Sequence, residues 1–218
     1  EHIFRWGFFS RLITWLVAPI PRAKATNDTR TVKQTLRALQ AGTNVCIFAE
    51  GNRSFNGETG LLPPSIAKLV RQSKASLITY RLTGGYLTQP RWGHSIRRGK
   101  SSGAVVNHYS SEELSRLGEK EIMELLLRDL HVNAFDDQEK NPVPFRGKRI
   151  AEHLETALYL CPECGGIATL SSSEDLFSCT CGYRVRYDRF GLFLPVSGES
   201  LHFSTILEWD RWLFLFHL

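Results

Sequence analysis

Four cysteines within 21 residues constrain the fold of the C-terminal part of this chain more than any other feature. They form two close pairs, Cys161-Pro162-Glu163-Cys164 and Cys179-Thr180-Cys181, and a glycine follows each pair. Thiolates in this arrangement can direct four sulfurs at one tetrahedral centre, as in structural zinc sites with four protein ligands. The fourteen residues between the pairs suffice for a small hairpin. The pattern is typical of a zinc ribbon, and it predicts a structural Zn²⁺ held by Cys161, Cys164, Cys179 and Cys181.

Two disulfides or four free thiols are the alternatives to a metal site. Close-pair spacing is more typical of metal ligands, and disulfides are rare in the cytosol, where we expect this protein. The second pair is C-x-C and not C-x-x-C, which makes Cys179 a less secure ligand than Cys161. The fifth cysteine, Cys46, lies in an apolar segment and is expected to be a buried filler.

The rest of the chain alternates between helical and strand patterns. Apolar spacing and capping residues predict helices over 4–17, from Asn27 or Asp28 to Gln40, over 65–73, and from 111 to about 131. Apolar runs predict strands over 44–48, 77–82 and 104–106. The order favours an α/β domain with a largely parallel sheet flanked by helices. Ser110-Ser111-Glu112-Glu113 is a capping-box signature.

These patterns predict four segments. Residues 1–132 form the α/β domain, 133–158 a polar linker and a short helix over 150–158, 159–195 the ribbon, and 196–218 a C-terminal segment. The chain opens without methionine and closes on an apolar run, so we expect it to be a piece of a longer protein. The first predicted helix suits a core-facing position or an interfacial one, because Trp6 and Trp15 accompany Arg5 and Arg11.

Positive charge is concentrated in the N-terminal half of the chain. Residues 1–110 hold 16 basic and 4 acidic residues, a net charge of +12, whereas 111–160 carry −4 and 161–218 carry −3. A basic surface attracts nucleic acid, anionic lipid or phosphorylated small molecules. No apolar run is long enough for a membrane-spanning helix.

The segment Phe48-Ala49-Glu50-Gly51-Asn52-Arg53-Ser54 follows the predicted strand 44–48. Arginine presents a fork of donors that matches phosphate or carboxylate, and glycine allows close approach of the backbone. The alternative is a solvated turn with a weak ion pair.

This segment resembles the F-P-E-G-T-R-S block of the glycerolipid acyltransferases, the family of 1-acylglycerol-3-phosphate acyltransferase. Ala49 and Asn52 depart from it. Ala18-Pro19-Ile20-Pro21-Arg22 is similar to the preceding block of the family, and Leu77-Ile78-Thr79-Tyr80-Arg81 stands where its following strand lies. Gly84-Gly85-Tyr86 and Pro90-Arg91-Trp92 resemble a bacterial branch that adds a cysteine ribbon.

The resemblance implies a glycerol-phosphate acyltransferase-like sheet and acyl transfer, in phospholipid biosynthesis, from acyl-CoA or acyl-carrier protein to a hydroxyl of a lysophospholipid or glycerol phosphate. It implies that Arg53 and Arg22 bind the acceptor phosphate, that Glu50 and Gly51 shape the acceptor site, and that Ser54 adds a hydroxyl contact. The basic N-terminal half is consistent with a peripheral position on the anionic inner face of the cell membrane.

The family's general base is a histidine in an N-H-x-x-x-x-D block, and residues 1–218 do not contain it. His108 precedes Glu113 and His131 precedes Asp136 at the same spacing, but we interpret both as chance pairings. We expect the block upstream of Glu1, and we expect these 218 residues alone to be inactive.

Two other functions compete with this interpretation. A nucleic-acid-binding zinc-ribbon protein would use the basic surface, although the ribbon segment itself is acidic. A non-catalytic relative would bind a lipid phosphate without turnover.

Overall fold

The computed structural model describes residues 8–20, 29–196, 198 and 200–215. Contacts divide the chain into two units, which are taken separately. The first comprises Glu1–Ala49, Pro63–Leu77 and Tyr109–Leu125, and the second comprises Glu50–Leu62, Ile78–His108 and Leu126–Leu218. The boundaries of the four predicted segments stay predictions.

The described part of the first unit is mainly helical. It contains α1 (Phe8–Val17), α2 (Thr29–Gln40), α3 (Ser65–Ser73) and α5 (Ser111–Ser115), and α6 (Glu119–Leu130) begins in it. Helices α2 and α3 pack together. The predicted capping box is confirmed at α5, because the Ser110 Oγ accepts from the Glu113 amide at 3.2 Å and Glu113 accepts from the Ser110 amide at 2.6 Å.

The second unit contains two sheets. Strands β1 (Leu77–Thr83) and β2 (Ser102–Tyr109) form a two-stranded sheet, with the short helix α4 (Gly85–Thr88) between them. Thr79 contacts Asn107 and Thr83 contacts Ser102, so residue numbers rise along β1 while they fall along β2. This is the antiparallel pattern.

The second sheet belongs to the ribbon and is entirely antiparallel. Its order is β3 (Leu170–Ser173), β4 (Leu176–Cys179), β5 (Arg184–Tyr187) and β6 (Phe193–Pro195). Helix α8 (Ile206–Leu215) closes over it, and Trp209 of α8 contacts the rings of Phe177 and Phe193. The Trp209 indole also donates to the carbonyl of Leu160 at 3.1 Å. The core of the unit therefore lies between the ribbon sheet and α8.

Several predicted elements are confirmed. Helix α3 has the predicted bounds, α2 ends at the predicted Gln40, and β1 and β2 contain the predicted strands. The helix predicted over 4–17 is seen as Phe8–Val17, and its first residues lie outside the described part. The mixture of helices and sheets agrees with the α/β class, while the acyltransferase-like arrangement of the sheet stays a prediction.

The predicted strand 44–48 is wrong. No ladder joins these residues to another strand in the described part of the chain, and Phe48 is 74% exposed. Cys46 is also exposed, so its prediction as a buried filler is wrong. An apolar run becomes a strand only where a neighbouring strand accepts its backbone hydrogen bonds, and local sequence cannot supply that neighbour.

Three further expectations need correction. The predicted largely parallel sheet is wrong for the described residues, because the contacts of β1 with β2 and all strand pairs of the ribbon are antiparallel. The predicted linker contains α7 (Ala134–Lys140) and buries Phe135 and Phe145. Residues 150–158 form turns and a 3₁₀ segment, Leu154–Thr156, in place of an α-helix.

Candidate functional site

Glu50 and Gly51 shape the start of the loop over residues 50–62. The Glu50 carboxylate accepts a hydrogen bond from the Gly60 amide at 2.9 Å, which ties together two points ten residues apart. Gly51 has φ +70°, a left-handed conformation that favours glycine. Both residues therefore determine the path of the loop that carries Arg53.

Ser54 stabilises a turn within this loop. Its hydroxyl donates to the carbonyl of Glu58 at 2.8 Å and accepts from the amide of Gly57 at 2.9 Å. Gly57 has φ +94°, and a Cβ there would lie 2.9 Å from the rings of Phe135 and Tyr86. These contacts give Ser54 an internal role in the loop, whereas the predicted ligand contact of its hydroxyl stays a prediction.

Arg53 is exposed, and its contact with a described residue is weak. Its Nη1 donates to the carbonyl of Gln89 at 3.5 Å. No carboxylate pairs with Arg53 in the described part of the chain. The guanidinium can therefore accept an anion without first breaking an ion pair. Arg22, the second predicted phosphate contact, lies outside the described residues.

Helix α8 anchors the loop over residues 50–62. The sequence did not indicate these contacts. Arg211 donates to both carboxylate oxygens of Glu58 at 2.9 and 3.0 Å, and the Asn56 amide donates to Asp210 at 2.7 Å. Burial raises the pKa of Asp210, and the hydrogen bond from Asn56 lowers it in part. No local pattern could reveal these contacts, because the partners are 153 and 154 positions apart.

The two histidine–carboxylate spacings found in the sequence do not form a catalytic pair in the structure. Glu113 accepts from the Ser110 amide in the capping box, and Asp136 accepts from the Asn133 side chain at 2.7 Å. A histidine–carboxylate pair that the sequence did not indicate joins His202 Nε2 to Glu163 Oε2 at 2.7 Å. Glu163 lies between the first two cysteines, so this pair supports the cysteine cluster.

All four predicted ligand cysteines lie together. Their sulfurs are within 4.8 Å of one another, with 3.9 Å between Cys161 and Cys181 and 3.8 Å between Cys164 and Cys179. A tetrahedron with Zn–S bonds of about 2.3 Å has sulfur–sulfur edges of about 3.8 Å. A disulfide requires about 2.05 Å. The cluster is therefore not disulfide-bonded, its residues fit a metal ion such as zinc, and Cys179 is a member in spite of its C-x-C spacing.

The backbone around the cluster forms two tight turns. The Gly165 amide donates to the Cys161 carbonyl at 3.0 Å, and the Gly182 amide donates to the Cys179 carbonyl at 3.0 Å. Gly165 has φ +66° and Gly182 has φ +105°. Each glycine adopts a conformation that a side chain would disfavour, which explains why a glycine follows each cysteine pair.

The two buried thiols of the cluster differ in acidity. Burial raises the pKa of Cys161 to about 12. Burial also acts to raise the pKa of Cys179, but the hydrogen bond from the Cys181 amide, with side-chain contacts to Thr169, Cys181 and Cys161, lowers it to about 6. The Thr169 oxygen lies 3.1 Å from the Cys179 sulfur. The lowered pKa of Cys179 favours its thiolate, which is the form of cysteine that binds metal.

Comparison with known proteins supports an acyltransferase family for the N-terminal part of the chain. The family model described as Acyltransferase matches residues 1–83. This segment includes Arg22 and the loop from Glu50 to Ser54, and it ends at the last residue of β1. No curated protein and no solved structure matches the chain.

Proposed function

We propose that this chain is part of an enzyme of phospholipid biosynthesis that transfers an acyl group to a hydroxyl of a lysophospholipid or glycerol phosphate. The match of residues 1–83 to the Acyltransferase family model carries the proposal, because it supports a transferase of this kind. The guanidinium of Arg53, which lies within the matched segment and has no carboxylate partner among the described residues, supports an acceptor that carries phosphate.

In the proposed reaction, residues of this chain bind the acceptor and orient it. Arg53 holds the acceptor phosphate, and Arg22 adds a second contact. Glu50 and Gly51 set the position of Arg53 through the path of the loop. A hydroxyl held in one position by its neighbouring phosphate gains reactivity from proximity and orientation. Ser54 contributes by keeping the turn after Arg53 in place.

The acyl donor is a thioester, either acyl-CoA or acyl-carrier protein. During transfer the acceptor oxygen forms a bond to the thioester carbonyl carbon, the carbon–sulfur bond breaks, and the acceptor proton passes through a general base to the departing thiolate. The sequence 1–218 lacks the family's histidine block, so we do not assign the base to any of its residues. These residues alone are therefore expected to bind acceptor without turning it over.

A position at a membrane surface is part of the proposal. Trp15, Leu16 and Val17 at the end of α1 are 80%, 62% and 71% exposed, and Arg11 on the same helix is exposed. Apolar and aromatic side chains beside arginine suit a helix lying in the interface of an anionic bilayer. Among the described helices none combines the length and apolarity needed to cross a bilayer. We propose peripheral attachment to the cytoplasmic face of the cell membrane.

The cysteine cluster is proposed to hold a structural Zn²⁺. Four protein sulfurs at tetrahedral spacing leave no open position for substrate. When bound, the ion would cross-link the turn at Cys161–Cys164 to the end of β4. Metal binding supplies folding free energy to small domains of this kind.

The proposed function is tested by assaying acyl transfer with the product of the complete reading frame and with residues 1–218 side by side. Acyl-CoA and acyl-carrier protein are the donors, and lysophosphatidic acid and glycerol 3-phosphate are the acceptors. Acyl transfer by the complete product alone is the expected result. Acyl transfer by neither protein, with acceptor binding retained in both, would contradict the enzyme and support a non-catalytic binder of lipid phosphate. Turnover by residues 1–218 would show that the base lies among them.

Binding of nucleic acid is tested separately. Filter binding of duplex and single-stranded DNA across a salt titration would show a steep loss of affinity with salt if the basic residues bind a polyanionic strand. We expect no specific complex, because the ribbon segment is acidic and the basic excess lies in residues 1–110.

A further inference from the structure

Arg91 is placed on an aromatic ring of the loop that contains Arg53. The Arg91 Cζ lies 5.5 Å from the centre of the Phe55 ring, within the range of a cation–π interaction. Arg91 is exposed, so its donors remain available to solvent or ligand. The ring restricts the motion of a long side chain that would otherwise sample many rotamers.

The segment that contains Arg53 and the segment that contains Arg91 make reciprocal contacts. Arg53 Nη1 reaches the carbonyl of Gln89 at 3.5 Å, and Arg91 lies over Phe55. A third contact joins the Tyr86 hydroxyl to the Phe55 carbonyl at 3.4 Å. The two arginines are therefore presented by neighbouring backbone segments of the same unit.

Neither guanidinium has a counter-charge within the described residues. The two carboxylates of the loop are engaged elsewhere, since Glu50 accepts from the Gly60 amide and Glu58 pairs with Arg211. Two exposed guanidiniums that lack carboxylate partners in the described part of the chain create a local positive potential. A doubly charged anion satisfies both guanidiniums more completely than a single carboxylate does.

We propose that Arg53 and Arg91 together form an anion site, in which Arg91 is held against Phe55. The site binds a phosphate monoester dianion. The inference rests on the proposed function in taking the acceptor phosphate as its ligand. Arg91 is a binding residue, and Phe55 is a positioning residue that acts through it. Arg91 lies outside the segment matched by the Acyltransferase family model.

Titration calorimetry of the 218-residue chain with glycerol 3-phosphate, and with glycerol as a ligand control, tests this site. Arg91→Gln is expected to weaken glycerol 3-phosphate binding about 10-fold or more, the usual effect of losing a charge-assisted hydrogen bond. Arg91→Lys retains the positive charge but not the forked guanidinium, so it should weaken binding less than Arg91→Gln does. Phe55→Leu should weaken binding about 2- to 5-fold, because the guanidinium remains but is less restricted.

Arg189→Gln is the matched control. Arg189 is exposed and stacks on Phe190 at 5.2 Å, so the substitution removes the same charge and the same kind of contact at another place in the unit. Equal weakening by Arg91→Gln and Arg189→Gln, or unchanged binding by Arg91→Gln, would overturn the inference. Thermal unfolding by circular dichroism confirms that each variant is folded.

A second experiment determines whether the bound phosphate belongs to a lipid headgroup or to a soluble molecule. Phosphatidylcholine vesicles with and without lysophosphatidic acid are tested by co-sedimentation. Binding that Arg91→Gln weakens in either arm supports the site and identifies the source of the phosphate. Binding in neither arm overturns it. Arg91-dependent phosphate binding without acyl transfer by the complete reading frame would refute the proposed function alone. Acyl transfer with an unchanged KM for the phosphate acceptor in Arg91→Gln would refute this inference alone.

Discussion

Replacing the buried Arg97 by alanine should strongly destabilise the second unit. Arg97 is 3% exposed, and its guanidinium lies 4.9 Å from the Trp92 ring and 5.3 Å from the Tyr187 ring. Its Nη2 donates to the Ile150 carbonyl at 2.6 Å. Arg97 thus joins the connection between α4 and β2 to the turn at Ile150 and to β5. The same connection carries Arg91, so the stability of the ribbon and the order of the proposed anion site are linked.

The magnitude follows from these contacts. A hydrogen bond from a charged donor contributes about 1.5–3 kcal/mol, and desolvated cation–π contacts contribute about 2 kcal/mol. Burial raises the pKa of Tyr187, so its hydroxyl stays neutral and provides no counter-ion. The Arg97 Nε is buried and has no hydrogen-bond partner among the described residues, which offsets part of the gain. We expect Arg97→Ala to lower the free energy of unfolding by about 3 kcal/mol.

Urea unfolding of the zinc-saturated chain, followed by tryptophan fluorescence, measures this change. Arg98→Ala is the control, because Arg98 is the exposed neighbour, and its loss should change the free energy of unfolding by less than about 0.5 kcal/mol. Arg97→Lys should fall between alanine and wild type, since lysine retains the charge but not the planar fork. A loss below about 1 kcal/mol for Arg97→Ala would refute the view that this guanidinium joins the three segments.

Three other predictions concern the metal, a buried carboxyl and a glycine. Purified protein should contain one zinc ion per chain, and Cys179→Ser but not Cys46→Ser should lower zinc content by elemental analysis; equal content in both variants would exclude Cys179 as a ligand. Because burial raises the folded-state pKa of Asp210, its contribution to stability is present below the unfolded value of 3.8 and is lost as pH rises through the folded value. Asp210→Asn should therefore reduce the loss of unfolding free energy with rising pH, measured by urea titrations at several pH values. An unchanged pH dependence would contradict a raised pKa for Asp210. Gly57→Ala should cost about 1–3 kcal/mol more than Gly42→Ala, since both have positive φ but only Gly57 faces aromatic rings at 2.9 Å; equal losses of stability would show that the rings move aside.

Local signals in the sequence were sufficient for many of the elements. The helix over 65–73 and the capping box at Ser110 depend on residues within one or two turns of each other. The cysteine cluster was predictable for the same reason, because each pair forms its own turn and the intervening hairpin is short. Local signals gave the wrong prediction for residues 44–48, because apolar character alone does not provide a partner strand.

The sequence by itself therefore determined which four cysteines cluster, several of the helices, the strands β1 and β2, and the arginine-containing loop after residue 48. The tertiary structure decided which arginines are exposed and which are buried or paired. Arg97 is buried against two aromatic rings, Arg211 pairs with Glu58, and Arg53 and Arg91 keep no carboxylate partner within the described residues. These environments arise from contacts between residues far apart in sequence, and the burial and charge balance of a side chain depend on all its spatial neighbours.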